Sequence, residues 1–191
     1  MRKIAFGLIA IGLLGAVAGF GGLAVFTDQE SIDANTFDTG DVDISTVPTT
    51  ALVTFSGMAP GDSVTDDVVV SNDGSLELRF AVTSSATNAD TLALKDALTL
   101  TVNTIDVTDP GTPCDDFDGT ELYTGDLDDG AGGLIIGDPA QGADTGDRVL
   151  AASTSETLCF RVELSSGATG PEGASTTATF TFDAEQTVNN P

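Results

Sequence analysis

Two carboxylate clusters are the residues of this chain whose spacing could do chemistry. Asp115-Asp116-Phe117-Asp118-Gly119 and Asp126-Leu127-Asp128-Asp129-Gly130 each gather several oxygens beside a glycine turn. Calcium takes about six to eight oxygen ligands, and loop carboxylates supply them. Asp115, Asp116, Asp118, Asp126, Asp128 and Asp129 are therefore candidate ligands, with calcium the candidate cofactor. Neither stretch has EF-hand spacing or its closing Glu, so solvated turn acids are the competing reading. Catalysis finds less support. The chain contains no His, which removes the commonest zinc ligand and the commonest general base. Ser and Thr abound, but no His can activate them. Among 30 acids, a pair of carboxylates is uninformative as an acid and base. Asp73-Gly74-Ser75 reads as a turn, not as a nucleophile elbow. No catalytic residue is assigned.

The two cysteines, Cys114 and Cys159, are expected to form a disulfide if the chain is exported. Two free buried thiols are the alternative. Closing that loop would stabilise the fold by roughly 4 kcal/mol on the chain-entropy account.

Export is what the N-terminus implies. Arg2-Lys3 precedes an apolar, glycine-rich run from Ile4 to Phe20, and Gly22-Leu23-Ala24 follows. A basic region, an apolar region and a small-x-small site in that order read as a signal peptide over residues 1–24. Signal peptidase is then a processing partner, Val25 the mature N-terminus, and the location extracellular. A retained membrane helix is the alternative, because Ile4 to Val25 is long enough to span a bilayer. The glycines and the Gly22-Leu23-Ala24 site favour cleavage, so membrane contact is expected only through the uncleaved segment.

The net charge of −24 becomes −26 once Arg2 and Lys3 leave. Nucleic acid is excluded as a partner, since phosphate binding needs Lys and Arg. The charge keeps the chain soluble and self-repelling, and suits a salty medium or divalent counter-ions. The length of 191 residues suits one domain with a sizeable core.

The elements that must position these residues read as strands and turns. Val42 to Ser45 alternates, Ala51 to Phe55 is β-rich, and Pro60-Gly61-Asp62 is a turn. Ser63 to Ser71 reads as a strand and Asn72-Asp73-Gly74 as a tight hairpin. Leu76, Leu78, Phe80 and Val82 share one strand face, with Glu77 and Arg79 on the other. Ala89 to Ala97 suggests a short helix. Leu98 to Val107, Thr157 to Leu164 and Thr177 to Ala184 alternate again. Asp109 to Asp147 is dense in Gly, Asp and Pro, with apolar islands at Glu121-Leu122-Tyr123 and Leu134-Ile135-Ile136, and reads as an irregular acidic insertion. Many short, turn-bounded strands imply an all-β sandwich.

Four blocks in this order resemble the TasA/camelysin (CalY) family of exported filament-forming proteins. The leader ends Gly21-Gly22-Leu23-Ala24-Val25-Phe26-Thr27-Asp28, as in the family's signal peptides. Asn35-Thr36-Phe37-Asp38-Thr39-Gly40-Asp41-Val42-Asp43-Ile44 is similar to its N-T-F-x-x-G-x-L-D-L strand. Met58-Ala59-Pro60-Gly61-Asp62-Ser63 and Val70-Ser71-Asn72-Asp73-Gly74-Ser75-Leu76 match its P-G-D and N-x-G-S-L segments. Ala178-Thr179-Phe180-Thr181-Phe182-Asp183-Ala184-Glu185-Gln186 is like its closing strand. Residues 109–147 and the cysteine pair lie outside the shared pattern.

The resemblance implies a jelly-roll-like antiparallel sandwich over 38–191. It also implies a structural subunit that forms a homopolymer by donor-strand exchange. The donor would be residues 25–37, carrying Val25, Phe26, Ile32, Ala34 and Phe37. Strand addition satisfies edge N–H and C=O groups while side chains fill pockets. The competing reading keeps this segment within its own domain, since Asp28 and Glu30 share the parity of Phe26. Two other functions stand beside it. One is a monomeric calcium-binding surface or adhesion module. The other is a metallo-endopeptidase-like enzyme, a label some family members carry, although without His an H-E-x-x-H zinc site is excluded.

Overall fold

The computed structural model describes residues 38–50, 52, 57–88, 92–105, 114–128, 133–169 and 173–190. The chain divides into two units, Met1–Asp38 and Thr39–Pro191, and every described strand belongs to the second. The strands are β1 (Ile44–Val47), β2 (Ser63–Asn72), β3 (Leu78–Ala86), β4 (Leu98–Thr104), β5 (Glu121–Asp126), β6 (Leu134–Ile136), β7 (Arg148–Leu150), β8 (Ser155–Leu164) and β9 (Ala178–Gln186). A 3-10 helix, Leu94–Ala97, is all that forms of the expected helix among the described residues. No helix among them is long and apolar enough to cross a membrane.

Alternation decides which way each strand faces. In β8, Leu158, Phe160, Val162 and Leu164 are buried on one side, and in β4 Leu98, Leu100 and Val102 are buried likewise. One sheet runs β1-β2-β8-β4-β5, and every pairing in it is antiparallel. In the second sheet β9 pairs with the whole of β3, so β6 and β7 must share the other edge of β3. They do so end to end, β6 beside Val82 and Thr83, β7 beside Leu78 to Phe80. Phe160 of the first sheet meets Phe180 of the second edge-on at 5.1 Å. All chain connections except β1–β2, β4–β5 and β6–β7 pass from one sheet to the other. The result is a jelly-roll-like antiparallel sandwich.

Three expectations change in the folded chain. Asn72-Asp73-Gly74 is not a hairpin turn but a corner between sheets, because β2 pairs with β1 and β8 while β3 joins the other sheet. Asn72 builds this corner. Its Nδ2 donates to the carbonyls of Leu76, Leu150 and Ala151, and its Oδ1 accepts the Gly74 N–H.

Arg79 does not face solvent; it is 5% exposed. Loop residues Asp138 to Gln141 and Asp147 cover that face and, with Arg79, line a pocket of about 230 Å³. The Arg79 guanidinium also donates to the Asn190 carbonyl. Its Nε lies 3.0 Å from Glu185 Oε1, but the N–H is not aimed at that oxygen, so the contact is an ion pair rather than a hydrogen bond.

The stretch 109–147 is not all loop either. Its two apolar islands become β5 and β6, and Leu127, Ile135 and Ile136 enter the core. This crossover closes one side of the sandwich, where Ser84 donates its Oγ–H to Leu127 O and its N–H to Gly133 O.

Candidate assembly groove

On the side of the sandwich away from that crossover, no further described strand adds to either sheet. There the first sheet ends in β1 and the second in β9, and each pairs with only one described strand. Between them lies a groove of about 250 Å³. Thr46, Pro48 and Leu52 line one wall, Val68 the floor, and Phe180 and Phe182 the other wall. Phe180 and Phe182 are only half-buried, although both pack against the core. None of the groove's lining residues is charged, in a chain with 30 acids.

The hydrogen-bond phase of both edges follows from the bonds at their ends. In an antiparallel pair, residues directly opposite alternate between exchanging backbone bonds and pointing them outward. Thr87 N–H donates to Thr177 O, and Thr187 N–H to Glu77 O. Both lie in the β3–β9 register, so the odd-numbered residues of β9 bond to β3. Ala178, Phe180, Phe182 and Ala184 therefore direct their N–H and C=O groups at the open edge. Likewise Asp73 N–H donates to Asp43 O, which leaves the backbone groups of Ile44 and Thr46 on the free side of β1. Thr46, Ala178, Phe180 and Phe182 thus line the groove and also present backbone donors and acceptors at its edges.

The approach to β1 is pinned to the Asn72 corner. Asp41 N–H donates to Ser75 Oγ, while Ser75 donates both its N–H and its hydroxyl to Asp41 Oδ1. Asp41 O accepts from Leu76 N–H, and Ser45 Oγ donates to Asp73 Oδ2 at 2.6 Å. A Cβ on Gly74 would stand 2.6 Å from Asp41 O, so close backbone approach requires glycine there; one on Gly40 would stand 2.5 Å from the Leu76 side chain, which would have to move. The described part of one sequence block noted above, residues 38–44, is thereby interlocked with another, 70–76.

The hydroxyl and backbone N–H of Ser75 hold the Asp41 carboxyl below the ordinary carboxylate range. A carboxylate with a lowered folded pKa contributes stability above its unfolded value, near 4, and loses it as pH falls through the folded value. A carboxyl ¹³C titration should therefore place Asp41 below the exposed aspartates. Ser75→Ala should raise it only part of the way, because the Ser75 N–H still donates to Asp41 Oδ1. An unshifted Asp41 in the unsubstituted chain would contradict the lock.

Among the other sequence-derived site residues, Cys114 and Cys159 are disulfide-bonded. Cys159 is on β8, so the bond ties the 114–119 loop to the outer face of the first sheet. There Arg161 lies 3.8 Å over the Phe117 ring, and Asn103 Nδ2 donates to the Phe117 and Gly119 carbonyls. Asp115, Asp116 and Asp118 lie in that loop. Asp126 ends β5, and Asp128 bonds to Lys95 Nζ at 2.7 Å. Among the described residues no group of three or more His, Cys, Asp or Glu is arranged to hold a metal ion. Asp129 and the segment carrying Val25, Phe26, Ile32, Ala34 and Phe37 lie outside the described residues. Sequence reasoning missed the groove and the lock. The paired occurrence of the two blocks was the signal that could have found the lock.

The sequence profile of a family described as camelysin metallo-endopeptidase matches residues 1–107. A protein of Bacillus subtilis (strain 168) named major biofilm matrix component is 37% identical over 78 residues, covering 41% of this chain. The match spans 30% of that relative's length. The family's description implies a metal, but the chain has no His and its two cysteines are bonded to each other, so a centre held by imidazole or thiolate does not fit it. With more than half of its length matched by the profile, the chain belongs to the camelysin family.

Proposed function

We propose that the protein is an exported structural subunit of extracellular, biofilm-matrix-type filaments, and that it has no catalytic role. Residues 1–24 are a leader, removed on export. Residues 25–37 of one copy then fill the groove between β1 and β9 of the next, and 38–191 is the sandwich that receives them. The observation that carries this reading is the uncharged groove with half-buried Phe180 and Phe182 between two strand edges that no other described strand pairs with. A strand added there satisfies backbone groups on both sides and covers the aromatic rings. Contact between different patches of like subunits is head-to-tail, and when its rotation does not close into a ring it builds a fibre. The family and the name of the Bacillus relative support a matrix role.

The test is negative-stain electron microscopy of the chain starting at Val25 beside the chain starting at Asp38. Fibres from the first and folded monomers from the second are expected. Fibres from the shortened chain would sink the donor-strand reading.

A further inference from the structure

The four basic side chains of the sandwich are all engaged within it. Arg79 pairs with Glu185, Lys95 with Asp128 and Asp96, and Arg148 with Glu156. Arg161 stacks on Phe117 and donates to Thr65 Oγ1. The other two bases, Arg2 and Lys3, are in the leader. A copy beginning at Val25 therefore brings its neighbour no basic side chain beyond these four, and its α-amino group is the one further positive charge, against a net side-chain charge of −26. The segment 25–37 adds Asp28, Glu30 and Asp33 and no basic side chain. Acids also adjoin the groove-lining residues along the chain. Asp66 is exposed on β2 two residues before Val68, and exposed Asp183 follows Phe182 on β9. Attraction in the groove acts at van der Waals range. Repulsion between like charges reaches about 10 Å in 0.1 M salt but only about 3 Å at 1 M.

We infer that docking of one copy onto the next is gated by ionic strength, through diffuse cations that screen the two bodies without occupying a dedicated site. This rests on the donor-strand reading above. Screening depends on valence and concentration, not on ion identity. Sodium and potassium should act alike, and magnesium and calcium should act alike at lower concentration.

The test is the threshold concentration for assembly of the chain starting at Val25, read by light scattering. Between about 0.1 M and about 2 M NaCl the threshold should fall at least ~10-fold. The Asp66→Asn, Asp183→Asn double variant should assemble at several-fold lower salt. The osmotic second virial coefficient of the chain starting at Asp38 should fall over the same salt range, which reads the repulsion without any fibre. Fibres with a salt-independent threshold would overturn the gate and leave the donor-strand reading standing. So would an unchanged salt requirement in the double variant. Assembly driven by calcium but not by magnesium would replace diffuse screening with a fixed site. No fibres at any salt, with a virial coefficient that still falls, would overturn the donor-strand reading and the gate with it.

Discussion

Asn72→Ala should lower the stability of the sandwich by about 3–5 kcal/mol. Asn72 is 1% exposed and sits where the chain leaves one sheet for the other. Its amide meets three carbonyls, from Leu76 at 2.8 Å and from Leu150 and Ala151 at 3.1 Å, and its oxygen accepts Gly74 N–H at 3.0 Å. Each hydrogen bond is worth about 1 kcal/mol net, but a buried group left without its partner costs about 1–3 kcal/mol. Alanine abandons several such groups in one place, which puts the change among the most damaging single substitutions. Asn72→Asp should be worse still, although its shape is almost unchanged. It would aim a carboxylate at three carbonyl oxygens in a site without a compensating cation. A packing account would rank the near-isosteric Asp as the milder change, so the order of the two variants decides the matter. With a slope of about 2 kcal/mol per molar urea, the alanine variant's midpoint should fall by about 1.5–2.5 M. A drop smaller than about 0.5 M would remove Asn72 from the centre of the corner.

Removing the Cys114–Cys159 bond should have an effect of similar size by a different route. The bond closes a loop of 45 residues that contains β5, β6 and β7. Loop-closure entropy puts its stabilisation at roughly 4 kcal/mol, acting mainly on the unfolded chain. For a domain of this size that corresponds to a fall of about 10 °C in Tm. The double variant Cys114→Ala, Cys159→Ala is the right comparison, because Cys159 is 1% exposed and serine would bury a hydroxyl there. Its folded far-ultraviolet circular dichroism should be unchanged, since β5 still pairs with β4 and β6 with β3. The Arg161–Phe117 contact and the Asn103 hydrogen bonds should still hold the 114–119 loop on the sheet. If Tm falls by less than about 2 °C, those contacts hold the loop without the bond, and the unfolded chain is already restricted.

Much of the fold was legible before folding was considered. Leu98, Leu100 and Val102 announce a buried face, as do Leu158, Phe160, Val162 and Leu164, because alternation reports the two faces of a strand directly. Pro60-Gly61-Asp62 was read as a turn and is one: Gly61 has φ +94°, and Asp62 Oδ2 accepts Ala59 N–H. The candidate site was less legible. The acidic clusters drew attention because their residue types are conspicuous, yet no three of those among the described residues converge on a metal position. The groove drew none, because Thr46, Pro48, Val68, Phe180 and Phe182 are ordinary core and turn residues until two sheet edges face one another.

What the sequence by itself determined was therefore local: which residues form strands, which face is apolar, where the chain turns, and the sign of the surface charge. Strand pairing and coverage were decided by the tertiary structure alone. Asn72-Asp73-Gly74 has the chemistry of a hairpin turn, but its buried amide bonds to Leu150 and Ala151, some eighty residues away, and the chain crosses between sheets instead. Arg79 sits on the polar side of an alternating strand and is buried because Asp138 to Gln141 and Asn190 come to lie over it. Periodicity and turn chemistry are set by neighbouring residues. Pairing partners, covered faces and open edges depend on how distant segments share a core, and no local pattern carries that information.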